Sequence, residues 1–289
     1  MIDLPIAVTG ATGALGRLVA TRLAAAGEAP RLIVRDPQRA PRIAGADVRV
    51  ASDYAASDEM RAALDGAGTL LLIPGREHPD RVGQHTAAVD AAVAAGLRRI
   101  VYLSFVGAAP DATFTLARDH WATEEHIRAA GLPFTFLRMS LYLDMLPVMV
   151  GSDLVLRGPA GDGHVAPVAR ADVADTAVAA LLGGGDHDGQ TLDVTGAQRL
   201  TLADAATTMA HEAGRDIRFE DETPEHAYAS RAHFGAPDWE VAGWVTSYTA
   251  IAAGELDVVS TTVADLTGHE PATLAAWIRA NPRTLAHII

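Results

Sequence analysis

A short apolar run at 4–9 stops at Gly10, and from 14 to 27 the apolar residues Leu15, Leu18, Val19 and Leu23 recur at helical spacing until Gly27. This is the pattern of a strand, a tight turn and a helix. Further apolar runs predict strands at 31–35, 47–51, 69–73, 99–104 and 134–138. Helical spacing predicts helices at 57–65, 79–95 and 116–130, the last two closed by Gly96 and Gly131. Runs apolar at consecutive positions fit strands buried on both faces. Six strands alternating with helices through short connections predict an α/β fold, a Rossmann-type doubly wound parallel sheet with helices on both faces.

Past residue 140 the regularity weakens. A glycine-rich turn runs from Gly158 to Gly163, helices are expected at 172–182, 201–213 and 271–280, and one strand at 191–194. The expected division is the doubly wound domain over 1–150, to which 165–195 returns, and a smaller, mostly helical substrate cap over 151–289. No internal repeat and no low-complexity linker separates them. The aromatic-rich stretch 223–251, with Tyr228, His233, Phe234, Trp239, Trp244 and Tyr248, reads as packing within that cap or as a roof over a substrate.

Composition narrows the chemistry. The 289 residues carry 23 basic residues, all of them Arg, against 36 acidic ones, for a net charge of −13, and there is neither Lys nor Cys. Thiol chemistry, disulfides, Schiff bases, a P-loop lysine and a catalytic Tyr/Lys pair are thereby excluded. The acidic balance opposes nucleic acid and offers no polybasic face to a membrane, so a small molecule is the expected partner. No apolar run reaches the roughly 20 residues of a membrane span. The first residues, Met-Ile-Asp-Leu-Pro-Ile-Ala-Val, lack a basic stretch ahead of an apolar core, and the expectation is a cytoplasmic protein. The histidine pairs 78/85, 120/126 and 226/233 fall outside the spacing that sets two ligands on one helical face, so no metal is expected. No Gly-x-Ser-x-Gly elbow supports a hydrolase.

Thr9-Gly10-Ala11-Thr12-Gly13-Ala14-Leu15-Gly16 lies where the first strand meets the first helix. Glycines at 10, 13 and 16 permit a tight turn, close approach of backbone to a diphosphate and close packing of helix on strand, while the helix N-terminus offers free N–H groups and a positive dipole. At the end of the second strand, where an acidic residue would bind ribose hydroxyls, stands Arg35, whose guanidinium suits a 2′-phosphate. NADPH is favoured, although Asp36 follows directly and leaves NADH open. Arg39 is near enough to assist or is simply a surface residue.

These motifs resemble the NmrA-like, atypical branch of the short-chain dehydrogenase/reductase superfamily, and within it the bacterial NADPH-dependent quinone oxidoreductases of the second type. The resemblance rests on the glycine loop, Val-Arg-Asp-Pro at 34–37, Ser52-Asp53-Tyr54, Val-Tyr-Leu-Ser at 101–104, His120-x-x-Thr123-Glu124, Ala130-Gly131-Leu132-Pro133, Leu137-Arg138, Tyr142, Gly161-Asp162-Gly163 and Ala171-Asp172-Val173-Ala174. It implies that Gly10 to Gly16 hold the diphosphate, Arg35 the 2′-phosphate, and Asp53 and Tyr54 the adenine side. It also implies that Ile73, Pro74 and Gly75 run past the ribose, with Ser104, Phe105, Arg138, Ser140 and Tyr142 around the nicotinamide.

Most members of that superfamily protonate their substrate through a Tyr/Lys pair, which a chain without lysine cannot have. Hydride transfer to a quinone fits, because the resulting oxyanion is a weak base that water or a modest donor protonates. His120 is the candidate polar group near the acceptor, or else a capping residue of its helix; Tyr142 is a candidate hydrogen-bond donor to a quinone oxygen. Thr123 and Glu124 are read as helix packing, with Glu124 reaching toward the next strand's loop. The alternative function is a non-catalytic NADP sensor acting through a protein partner. The oligomeric state stays open, a homodimer among the options.

Overall fold

The structure, a computed structural model, describes residues 4–286. Met1 to Asp3, part of the N-terminal reading above, and 287–289 lie outside the described residues. In chain order the elements are β1 (Ile6–Val8), α1 (Ala14–Ala25), β2 (Arg31–Val34), β3 (Asp47–Val50), α2 (Ser57–Leu64), β4 (Thr69–Leu72), α3 (Arg81–Ala94), β5 (Arg99–Phe105), α4 (Thr115–Ala129) and β6 (Phe134–Met139). There follow α5 (Met145–Val148), β7 (Val155–Gly158), α6 (Arg170–Leu182), β8 (Gln190–Val194), α7 (Leu202–Ala213), β9 (Arg218–Asp221), α8 (Pro224–Arg231), α9 (Asp238–Ala252), α10 (Thr262–Thr267) and α11 (Leu274–Ala280). Each predicted element is present with its ends shifted by at most a few residues. β7, β9, α5, α8, α9 and α10 were not anticipated.

The chain forms two compact units that interleave. One comprises Met1–Phe105, Asp119–Arg138 and Val173–Leu192; the other comprises Val106–Arg118, Met139–Asp172 and Asp193–Ile289. The division expected from sequence placed one main boundary at residue 150. Here 106–118 and 139–150 join the second unit, which makes the two nearly equal in length.

The first unit is built on the seven-stranded parallel sheet, in the order β3-β2-β1-β4-β5-β6-β8. Ala7 of β1 lies opposite Arg31 of β2 on one side and Leu70 of β4 on the other, and Leu71 of β4 faces Val101 of β5, all in parallel register. The chain winds outward from β1 in one direction and from β4 in the other. The crevice past the carboxyl ends of β1 and β4 is therefore the topological switch point, where open parallel sheets bind ligands. β1, β2 and β5 are buried along their whole length and β4 along all but Thr69, as their mainly apolar runs require. β3 is an edge strand whose Val48 and Val50 are exposed, and its Asp47 pairs with Arg31 and Arg49. Charge on an edge discourages further strand pairing.

In the second unit β7 and β9 form a parallel two-stranded sheet, Val155 opposite Arg218 and Gly158 opposite Asp221. The glycines of the predicted turn have a steric reason: a Cβ on Gly158 would fall 2.2 Å from the Tyr248 ring, and one on Gly163 would fall 2.1 Å from the Ile251 carbonyl oxygen. α9 can approach this turn only because the side chains are missing. α7 begins with a reciprocal capping box between Thr201 and Asp204 and ends at Gly214 in the left-handed conformation. Of the aromatic stretch, Tyr248 is buried, Trp244 packs against the Ala227, Val241 and Val245 cluster, and Tyr228 and Phe234 are exposed.

Candidate functional site

The glycine loop joins β1 to α1. Gly10 adopts a left-handed φ of 61°, and its carbonyl accepts the Gly13 amide at 2.9 Å, closing the turn. A Cβ on Gly16 would lie 2.3 Å from the Gly10 oxygen and 2.9 Å from Ala11 Cα, so only glycine lets α1 start this close to β1. Ala11 and Leu15 turn into the core, while Gly13 and Ala14 are exposed and Thr12 half-buried. Gly13 is the N-cap, no side chain caps the helix, and its first turn holds no acidic residue. The positive end of α1 thus faces outward over a cradle of bare backbone, which suits a diphosphate.

Arg35 follows β2 directly and is exposed. Asp36 turns away from it to cap the short helical turn behind, accepting the Gln38 amide at 2.9 Å. Arg39 is exposed too, and its carbonyl accepts from Arg17 at 3.4 Å. Asp53 accepts the Ala55 amide within its own turn at 2.9 Å.

Past β4, the strap Ile73-Pro74-Gly75 is fastened by side chains. Thr9 Oγ1 accepts the Ile73 amide at 2.8 Å and the Tyr54 hydroxyl donates to the Ile73 carbonyl at 2.7 Å. Burial pushes the Tyr54 phenol up to about 12 against the pull of the Arg35 charge, so it remains a donor. His85 Nε2 accepts the Gly75 amide at 2.9 Å, and Arg81 Nε donates to the Gly75 carbonyl at 3.3 Å. A backbone N–H can only donate, so His85 carries its proton on Nδ1 and gives it to Thr123 Oγ1 at 3.0 Å; Thr123 in turn donates to the Asp119 carbonyl. Burial and the neighbouring Arg81 charge lower the imidazole to about 3. Sequence reasoning weighed His85 only as one of a metal pair. The signal that could have found it is its place on the same helical face as Ala88, Val89 and Ala92, where a polar ring needs fixed partners.

His120 is buried with both ring nitrogens occupied. Arg81 Nη2, which can only donate, lies 3.3 Å from its Nε2, so Nδ1 bears the proton and faces the Tyr102 hydroxyl oxygen at 2.9 Å. Burial first, then the charge of Arg81, keeps this imidazole well below its ordinary range and neutral. Its ring stacks on Phe105 with centroids 6.1 Å apart. The buried Glu124 carboxylate accepts from the Ser104 hydroxyl at 2.5 Å and from Arg138 through two bonds of 2.8 and 2.7 Å, with Arg128 at 3.3 Å. Sequence reasoning sent Glu124 toward the loop before β6; it pairs instead with Arg138 on β6 itself.

Ser140 and Tyr142 belong to the second unit. The Ser140 amide donates to the Val194 carbonyl, and its buried hydroxyl has no partner among the described residues. The Tyr142 hydroxyl donates to Met139 Sδ at 2.7 Å, and the Arg170 guanidinium lies 4.5 Å over its ring. Burial raises the phenol more than that charge lowers it.

Residues 10–183 match the model of a family described as NAD(P)H-binding. The chain is 32% identical to quinone oxidoreductase 2 of Escherichia coli over 93% of its own length and 96% of that protein's. It is 29% identical to an NAD(P)H azoreductase of Xenophilus azovorans, over 96% of this chain and 97% of the other. The solved structure of the Escherichia coli NADPH-dependent quinone oxidoreductase complexed with NADPH superposes with a TM-score of 0.87 at 31% identity, covering 96% of this chain and 99% of that one. No helix among the described residues is long and apolar enough to cross a membrane. With its glycine cradle at the switch point of a doubly wound sheet, the chain belongs to the NAD(P)H-binding family and is an NAD(P)H-dependent oxidoreductase.

Proposed function

We propose that the protein reduces quinones or similar electron-poor carbonyl compounds, with NADPH preferred to NADH. The observation that carries this reading is that the candidate nicotinamide-end side chains of the first unit are already committed: Ser104 and Arg138 to Glu124, and His120 to Arg81 and Tyr102. In a chain without lysine, that leaves orientation and exclusion of water as the protein's contribution. An acceptor whose reduced form needs little acid catalysis fits such a site, and the names of the quinone oxidoreductase and azoreductase relatives point the same way.

The cradle from Gly10 to Gly16 would hold the diphosphate and Arg35 the 2′-phosphate. Asp36, engaged with Gln38, is drawn off from the ribose hydroxyls that NADH would present. Bound NADPH supplies a hydride, which with one proton from water turns a quinone into a hydroquinone and leaves NADP+. Phe105, stacked on His120, offers an apolar wall, and His120 serves to fix that wall. Tyr142 is proposed to bind the acceptor: its hydroxyl rests on a thioether, a weak acceptor that a carbonyl oxygen can displace at little cost.

Steady-state oxidation of NADPH with a panel of quinones tests the reading, and turnover is expected. Arg35→Ala should lower kcat/KM for NADPH by roughly tenfold or more, the worth of one charge-assisted contact, while changing NADH by less than about threefold. Tight NADPH binding with no turnover of any quinone would overturn the reductase in favour of the sensor. Equal losses for both dinucleotides would show that Arg35 does not contact the 2′-phosphate.

A further inference from the structure

Both backbone polar groups of Gly75, in the peptide groups on either side of its Cα, are held by side chains from one helix. His85 takes its amide and Arg81 its carbonyl, two bonds of 2.9 and 3.3 Å, both from α3. The opposite face of the residue is closed as well, since a Cβ on Gly75 would press within 3.2 Å of the Tyr54 ring. Each clamping side chain is braced in turn: His85 through Thr123 on α4, and Arg81 through His120 and through Asp119 at 3.6 Å. Both are buried, yet neither is required by packing, for a leucine would fill such space without the cost of desolvating an imidazole and a guanidinium. Burying polar groups to hold the two peptide groups that flank Gly75 is worthwhile when that stretch of backbone must keep a fixed orientation.

We propose that His85 and Arg81 are positioning residues for the dinucleotide, acting through the Gly75 backbone to hold the strap beyond β4 in its binding conformation before the ligand arrives. The proposal rests on the reading of this crevice as an NADPH site. A strap ordered in advance spares the binding step the entropy of ordering it, so loss of the clamp appears as weaker binding of NADPH.

The two hydrogen bonds of His85 can be separated. In His85→Gln, Oε1 occupies the position of Nε2 and can still accept the Gly75 amide; in His85→Asn, the amide group replaces Nδ1 and keeps only the Thr123 side. Dissociation constants for NADPH, read by its fluorescence on the full-length protein, should rise roughly tenfold or more in His85→Asn and stay within about threefold in His85→Gln, at similar thermal midpoints. KM for NADPH should follow that order while KM for the quinone does not. Should His85→Asn fail to fold, Arg81→Met, which keeps the stem and loses the donor to the Gly75 carbonyl, serves as the second arm and should also weaken NADPH. Equal dissociation constants in the two His85 variants, or an unchanged one in Arg81→Met, would overturn the clamp. If the unsubstituted protein binds NADPH and reduces no quinone, the reductase reading fails while the comparison of dissociation constants still decides the clamp.

Discussion

His85 and His120 are folded as neutral imidazoles beside a permanent positive charge, Arg81. An imidazole free in the unfolded chain titrates near 6.5, whereas His85 in the fold titrates at about 3. Between those values the unfolded chain takes up a proton that the fold refuses, so stability is complete above about pH 6.5 and falls as the pH drops through the window. Each such group contributes a slope of up to about 1.4 kcal/mol per pH unit. Urea unfolding at pH 7.5 and pH 5 should show this loss, and His85→Asn should make it shallower; an unchanged slope would mean that His85 is not held neutral. Residue identities of this kind are poorly legible in sequence. Arg35 could be read because it ends a predicted strand, but the partners of His85, His120 and Glu124 are set by how α3, α4 and β6 meet, which periodicity does not contain.

At the scale of elements the pattern was readable wherever apolar residues carried it. β1 is wholly apolar, β4 and β5 are mainly so, and α1 repeats its buried positions through Leu15, Val19 and Leu23. β7 and β9 were missed because Arg218-Phe219-Glu220-Asp221 is mostly polar, Val155-Leu156-Arg157-Gly158 runs straight into a glycine-rich turn, and the two pair between distant parts of the chain. The junction of β1 and α1 makes a sharper claim. Gly16→Ala puts a methyl group against fixed backbone, so α1 must shift, at a cost of about 1–3 kcal/mol, and NADPH binding should fall by more than about tenfold. Gly27→Ala, at φ 94° with nothing within 4 Å, should cost about 1 kcal/mol of backbone strain and leave binding intact. Equal effects on binding would show that close packing at Gly16 does not shape the cradle.

For the whole molecule, alternation of strand and helix was sufficient to foresee the doubly wound order, since handedness and short connections leave few alternatives. That 106–118 and 139–150 go with the second unit was not legible, because it follows from which segments pack together and no shift in composition marks it. Glycine cradle, Arg35 and strap all belong to the first unit. NADPH at one hundred times its dissociation constant should therefore stabilise the protein by about 2.7 kcal/mol, with new amide protection against hydrogen exchange concentrated at 9–16 and 73–75. A thermal midpoint that does not move would remove dinucleotide binding from the account.

The crevice is fastened unevenly. Ile73 to Gly75 are tied by Thr9, Tyr54, His85 and Arg81, whereas Arg35 and Arg39 stand exposed beyond β2. Substitutions at exposed positions generally change stability by less than about 0.5 kcal/mol, while a change within the strap disturbs several buried partners at once. One end of the crevice is therefore free to drift and the other is not. Under the proposed reading, substitutions at residues 35 and 39 should therefore alter the choice of dinucleotide while leaving the strap as it is.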